Sequence, residues 1–141
     1  MIDELTIKSS RSAGKLKLSE PKPPGSSHPV EYLRVSLEDR EIAASAARVY
    51  IYEPFGLAAF FDELASHWKG WGGEKEWHSV EDDFALWCTS DGLGHAALRV
   101  MLKSGLYEDD WCVHAVIHVD AGQLEDLAVK IKAFLHAERA S

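Results

Sequence analysis

Histidine is the side chain best suited to proton chemistry near neutral pH, and the chain holds seven. His114 and His118 stand four apart. On a helix that spacing would set two imidazoles over one metal. The surrounding run, Trp111 to Val119, alternates apolar and polar residues and reads as a strand instead. Four residues along a strand span roughly 13 Å, whereas zinc holds each ligand nitrogen at about 2 Å. The pair is expected to be two half-exposed strand histidines, and no metal site is assigned. His95 opens a strand directly after the turn Asp91-Gly92-Leu93-Gly94. It could meet a carboxylate or histidine on a neighbouring strand. No serine or cysteine motif gives it a nucleophile to activate, so no catalytic residue is assigned and His95 is a candidate binding residue.

Cys88 and Cys112 lack the Cys-x-x-Cys spacing of zinc or redox sites. Each lies in a run that looks like a buried strand, so both are read as small reduced apolar side chains. Gly70-Trp71-Gly72-Gly73 and Gly92-Leu93-Gly94 lack the Gly-Lys-Ser/Thr ending of a phosphate loop. They are turns, and no cofactor is implied. Glu74, Glu76, Glu81, Asp82 and Asp83 crowd one stretch without a calcium-loop pattern, which suits a solvated acidic rim.

The most distinctive segment is Trp68 to Trp77, with three of the five tryptophans. Trp68 continues an apolar helix face and is expected in the core. Trp71 and Trp77 bracket a glycine-rich turn. Two roles are open to them. They can cover the edge of the core, where an aromatic ring buries ~150–250 Å², or they can be exposed anchors for a partner. The candidate binding surface is therefore Trp71, Glu74, Glu76, Trp77, Glu81 and His95.

These residues need elements to position them. Leu5 and Ile7, then Leu16 and Leu18, alternate with polar neighbours around a turn from Ser9 to Gly14, which suits an edge hairpin. Pro21 to Pro29 is rich in proline, glycine and serine and is expected to be irregular. Leu33, Val35 and Leu37 mark a strand. Ile42 to Tyr52 begins with alanines that favour a helix but ends in Val49-Tyr50-Ile51-Tyr52, so it too is read as a strand. A helix is predicted over 54–69, with Pro54 at its first position. A three-stranded meander follows over Phe84–Thr89, Ala96–Leu102 and Trp111–Val119. A second helix is predicted over 121–137, opened by a capping box of Asp120 and Gln123. The order is strands, helix, meander, helix. It implies an α+β fold with a mostly antiparallel sheet of about 5–7 strands. The 141 residues suit one domain, with 1–30 as hairpin and loop and 31–137 as core.

The net charge of −8 argues against unaided nucleic-acid binding. The basic residues are scattered, so no membrane-binding patch is expected. Met1-Ile2-Asp3-Glu4 lacks the positive start of a signal peptide. A cytoplasmic protein is the expectation.

Several blocks together resemble a group of uncharacterised bacterial proteins, common in actinobacteria and classed as a domain of unknown function. They are Phe60-Phe61-x-x-Leu64-Ala65, Trp68-x-Gly70-Trp71-x-Gly73-Glu74 and Trp77-x-Ser79-x-Glu81, then Asp91-x-x-Gly94-His95, Trp111 and Gly122-Gln123-Leu124-Glu125. The resemblance spans Phe55 to Phe134 and implies no activity. The same order of elements is loosely similar to small immunity proteins of bacterial toxin systems. That likeness implies a non-catalytic binding protein, and the acidic charge suits a basic partner. Two other readings are a small-molecule pocket or enzyme built on tryptophan and His95, and a structural homo-oligomer.

Overall fold

A computed structural model describes residues 3–23, 30–51 and 54–135. Among the described residues, eight antiparallel strands form two four-stranded sheets, and two helices pack on them. The first sheet holds β1 (Glu4–Lys8), β2 (Lys15–Lys22), β3 (Tyr32–Asp39) and β4 (Ile42–Tyr50) in chain order. The second holds β5 (Lys75–His78), β6 (Phe84–Ser90), β7 (His95–Lys103) and β8 (Cys112–Asp120), also in chain order. Helix α1 (Pro54–Ser66) joins the sheets, and α2 (Leu124–Leu135) follows β8. The fold is α+β, as expected, but with eight strands in two sheets rather than one sheet of 5–7.

Period-two alternation gives each sheet one apolar face. Leu5, Ile7, Leu16, Leu18, Leu33, Val35 and Leu37 line the first; Phe84, Leu86, Leu98, Val100 and Ile117 line the second. Leu57, Phe61 and Leu64 of α1 and Leu127, Ile131 and Phe134 of α2 complete one continuous core. The helices pack on each other; α1 also meets β5, and α2 meets β1.

The hairpin of β1 and β2 belongs to the first sheet. Its tip crosses to the second, where the Ser10 N–H donates to the His118 carbonyl at 2.9 Å. The His118 N–H returns a bond to Ser9 Oγ at 3.0 Å. Gly14 makes this approach possible, since a β-carbon there would sit 3.0 Å from Ile117 Cδ1 and 3.3 Å from the Val116 carbonyl oxygen.

Several boundaries differ from expectation. β2 runs on through Pro21 to Lys22, because a register shift between Ser19 and Lys22 gives the proline an irregular place in the ladder. Residues 24–29 of the expected loop lie outside the described residues. The alanines of β4 are strand residues, but they line an edge where Ala43 and Ala47 are exposed. The strand β5 was not expected at all. Its four residues alternate as Lys, Glu, Trp, His, which reads as polar except in pairing with β6.

Helix α1 ends at Ser66, three residues before the predicted stop. The Ser66 hydroxyl and the His67 N–H both turn back to the Glu63 carbonyl, at 3.0 and 3.2 Å. The next turns tighten to three-residue closures and reach Gly70 at a φ of 131°. A β-carbon on Gly70 would also press on Gly92 of the β6–β7 turn at 3.3 Å. Trp68 thus leaves the helical period and is 54% exposed, not core. The second helix is preceded by a 3-10 turn, Ala121–Gln123, and the Gln123 side chain accepts from the Asp120 N–H at 3.1 Å. Its predicted end at 137 lies outside the described residues.

Candidate functional site

The outer face of the second sheet carries the residues that could bind a partner. Register sets Glu76, Trp87, Arg99 and Val116 in one straight row across its four strands. Each belongs to the period-two set opposite the core. Trp87 lies half-buried at the middle of this row. The Arg99 guanidinium stacks over its ring at 4.5 Å and reaches Glu74 Oε2 at 3.3 Å. On the other side, Trp87 Nε1 donates to Glu76 Oε2 at 2.9 Å. His78 Nε2 meets that same oxygen at 3.2 Å, and His78 Nδ1 lies 3.2 Å from Asp82 Oδ1. The His78 ring also stands edge-on to Trp87, with centroids 5.4 Å apart.

This network holds long side chains in place on an open surface. Hydrogen bonds from His78 and then Trp87 hold the Glu76 carboxyl below the usual carboxylate range. Glu74 pairs with the one guanidinium while Glu76 and Asp82 flank His78, so three carboxylates and one arginine frame an aromatic centre. Such a face can take a cationic or amphipathic group without rearrangement.

The six sequence-predicted residues divide over the molecule. Glu74 and Glu76 belong to this outer face. Trp71 and Trp77 point the other way and pack against the core. Trp71 Nε1 donates to the Cys88 carbonyl at 3.1 Å, which ties the turn to β6. Trp77 stands edge-to-face on Phe84, with centroids 5.5 Å apart. Glu81 is exposed in the β5–β6 turn. That turn is pinned by Ser79 Oγ, which donates to buried Asp83 at 2.7 Å and accepts from the Phe84 N–H at 3.1 Å.

His95 is bound within its own hairpin. Its Nδ1 lies 2.8 Å from Asp91 Oδ2, and Asp91 Oδ1 accepts from the Leu93 and His95 N–H groups at 2.7 and 3.1 Å. Those bonds, led by Leu93, hold the Asp91 carboxyl below its ordinary range. His95 stands four residues along β7 from Arg99, roughly 13 Å at strand spacing, so it does not join the cluster.

Trp87 and Arg99 were missed by sequence reasoning. Trp87 lies in the nearly all-apolar run Phe84 to Thr89, which hides its outward position. The signal that finds it is the alternation of Phe84, Leu86 and Cys88 as the buried set. The cysteines are separated by β7 and face opposite ways. Cys88 is buried and its thiol is pushed up to about 12 by desolvation. Cys112 is exposed, contrary to the buried strand expected for it, because it starts β8 on the outer face. His114 and His118 are both on β8, as the strand reading required. Among the described residues no group of three or more histidine, cysteine or carboxylate side chains is placed to hold a metal.

A groove of about 420 Å³ lies elsewhere, between β1 and α2. Neither His95 nor any tryptophan lines it. No described helix is long and apolar enough to cross a membrane. Comparison with curated proteins and with solved structures gives no match. The model of a family of unknown function, DUF6228, matches residues 7–138.

Proposed function

From the premise that the chain belongs to DUF6228, a family of unknown function, we propose that it is a non-catalytic binding protein that docks a basic partner protein on the outer face of its second sheet. The observation that carries this reading is the Trp87–Arg99 stack inside its ring of Glu74, Glu76, His78 and Asp82. Tryptophan and arginine dominate binding hot spots because they offer large, partly pre-ordered contact area. Here both are already fixed by hydrogen bonds, so little side-chain entropy is lost on docking. The surrounding carboxylates and the chain's net charge of −8 favour a cationic surface and speed its approach.

An immunity protein that neutralises a toxic, basic domain fits these properties, and it would act in the cytoplasm. The test is growth rescue on co-expression with the toxic domain encoded beside this gene, followed by measured affinity for the purified pair. Trp87→Ala is expected to raise Kd by roughly tenfold or more, as hot-spot truncations do. A paired Glu74→Lys, Glu76→Lys variant is expected to slow association. If rescue and affinity ignore both variants, this face is not the docking surface.

A further inference from the structure

Among the described residues, β1 leaves one edge of the first sheet without a neighbouring strand. Its ladder with β2 decides which backbone groups turn outward. The Ser9 N–H donates to the Gly14 carbonyl at 2.8 Å. In an antiparallel pair such bonded positions alternate, so Ile7 and Leu5 bond to Leu16 and Leu18. Glu4, Thr6 and Lys8 then turn their N–H and C=O groups away from β2. Ser10, next in that series, uses its N–H on His118. Among the described residues, Glu4, Thr6 and Lys8 make no backbone bond outside the ladder.

The other sheet edges are protected. The hairpin tip covers part of β8. A register shift between Leu33 and Val35 interrupts the β3–β4 ladder, and β5 has only four residues. Bulges and short strands are ordinary ways to blunt an edge. On β1 the edge runs straight, and its charged residues differ in sign.

We propose that β1 pairs with β1 of a second copy of this chain, antiparallel and centred on Thr6, to form a two-fold dimer with a continuous sheet. The segment Glu4-Leu5-Thr6-Ile7-Lys8 is complementary to itself only in that sense. Glu4 then lies opposite Lys8 of the second copy, Lys8 opposite Glu4, and Thr6 opposite its mate. A parallel pairing would set like charges side by side. All three outward side chains are exposed. The groove beside this edge has an apolar floor that includes Val119 and Leu127. Its helical wall repeats the pattern, since Asp126 and Lys130 stand one turn apart with 2.9 Å between their charged atoms.

The test is sedimentation equilibrium of the full chain over a concentration series. The wild type is expected at twice the chain mass at the upper concentrations. Glu4→Lys alone, or Lys8→Glu alone, places like charges opposite each other at both ends of the pairing. Each is expected to raise the dimer Kd roughly tenfold or more. The double variant Glu4→Lys, Lys8→Glu restores both pairs and is expected to recover dimerisation. Thr6→Pro removes an outward N–H that β2 does not use, and is expected to abolish the dimer. Circular dichroism checks that each variant is folded. A wild type that stays monomeric throughout overturns the proposal. So does a dimer indifferent to the single reversals, or a double variant as weak as either single one.

Discussion

The two thiols of this chain differ in what they can do, because one strand face is dry and the other wet. Cys88 is buried among core residues and its thiol is raised to about 12, so almost no thiolate forms at neutral pH. Cys112 is exposed. A thiol reagent on the native protein is therefore expected to modify one cysteine quickly and the second only after unfolding. Two fast equivalents would show that β6 does not shield Cys88. Asp91 makes a second residue-scale prediction. Its carboxylate is favoured in the folded state by the Leu93 N–H first and by His95 as well. A depressed pKa means that the ionised form stabilises the fold above the ordinary carboxylate range, and that this contribution fades as pH falls through the folded value. Asp91→Asn is expected to lower the melting temperature at neutral pH, and the gap to wild type is expected to close in acid.

At the scale of elements, α1 separates two aromatic residues that its periodicity would have treated alike. Phe61 is fully buried and faces the core, whereas Trp68 lies beyond the Ser66 stop and is exposed. Phe61→Ala is expected to cost about 3–5 kcal/mol. Trp68→Ala is expected to stay within about 0.5 kcal/mol of wild type. Chemical denaturation of the two variants checks both. The contrast also shows what could be read before the structure. Alternation identified the β1–β2 hairpin, β3 and the meander of β6 to β8, and the helical stripes of α1 and α2 were plain. The stop at Ser66 was not, because it depends on the Trp68 and Gly70 N–H groups turning to carbonyls three residues back instead of four. β5 was hidden because its only large apolar residue is Trp77, and its pairing comes from β6 rather than from its own pattern. The candidate site was legible only by half. Glu74 and Glu76 were singled out by charge, but Trp87 and Arg99 join them through register between strands that are distant in sequence.

For the whole molecule, charge and topology have different consequences. An acidic face that meets a basic partner in water is screened by salt over about 8–10 Å at ordinary ionic strength. Association of the proposed pair is therefore expected to slow as salt rises, while the dissociation rate changes less. Stopped-flow mixing at several salt concentrations checks this; an association rate independent of salt would point to an apolar docking surface instead. Topology adds a constraint of time. The hairpin tip at Ser9 and Ser10 is tied to His118, more than a hundred positions later in the chain. During synthesis the first sheet emerges early, yet the partner for that tip is made only with the last strand. Closing so long a loop costs entropy before any contact repays it. The N-terminal hairpin must therefore wait, with its tip untied, until β8 leaves the ribosome, and only then do the two sheets lock together at Ser9 and Ser10.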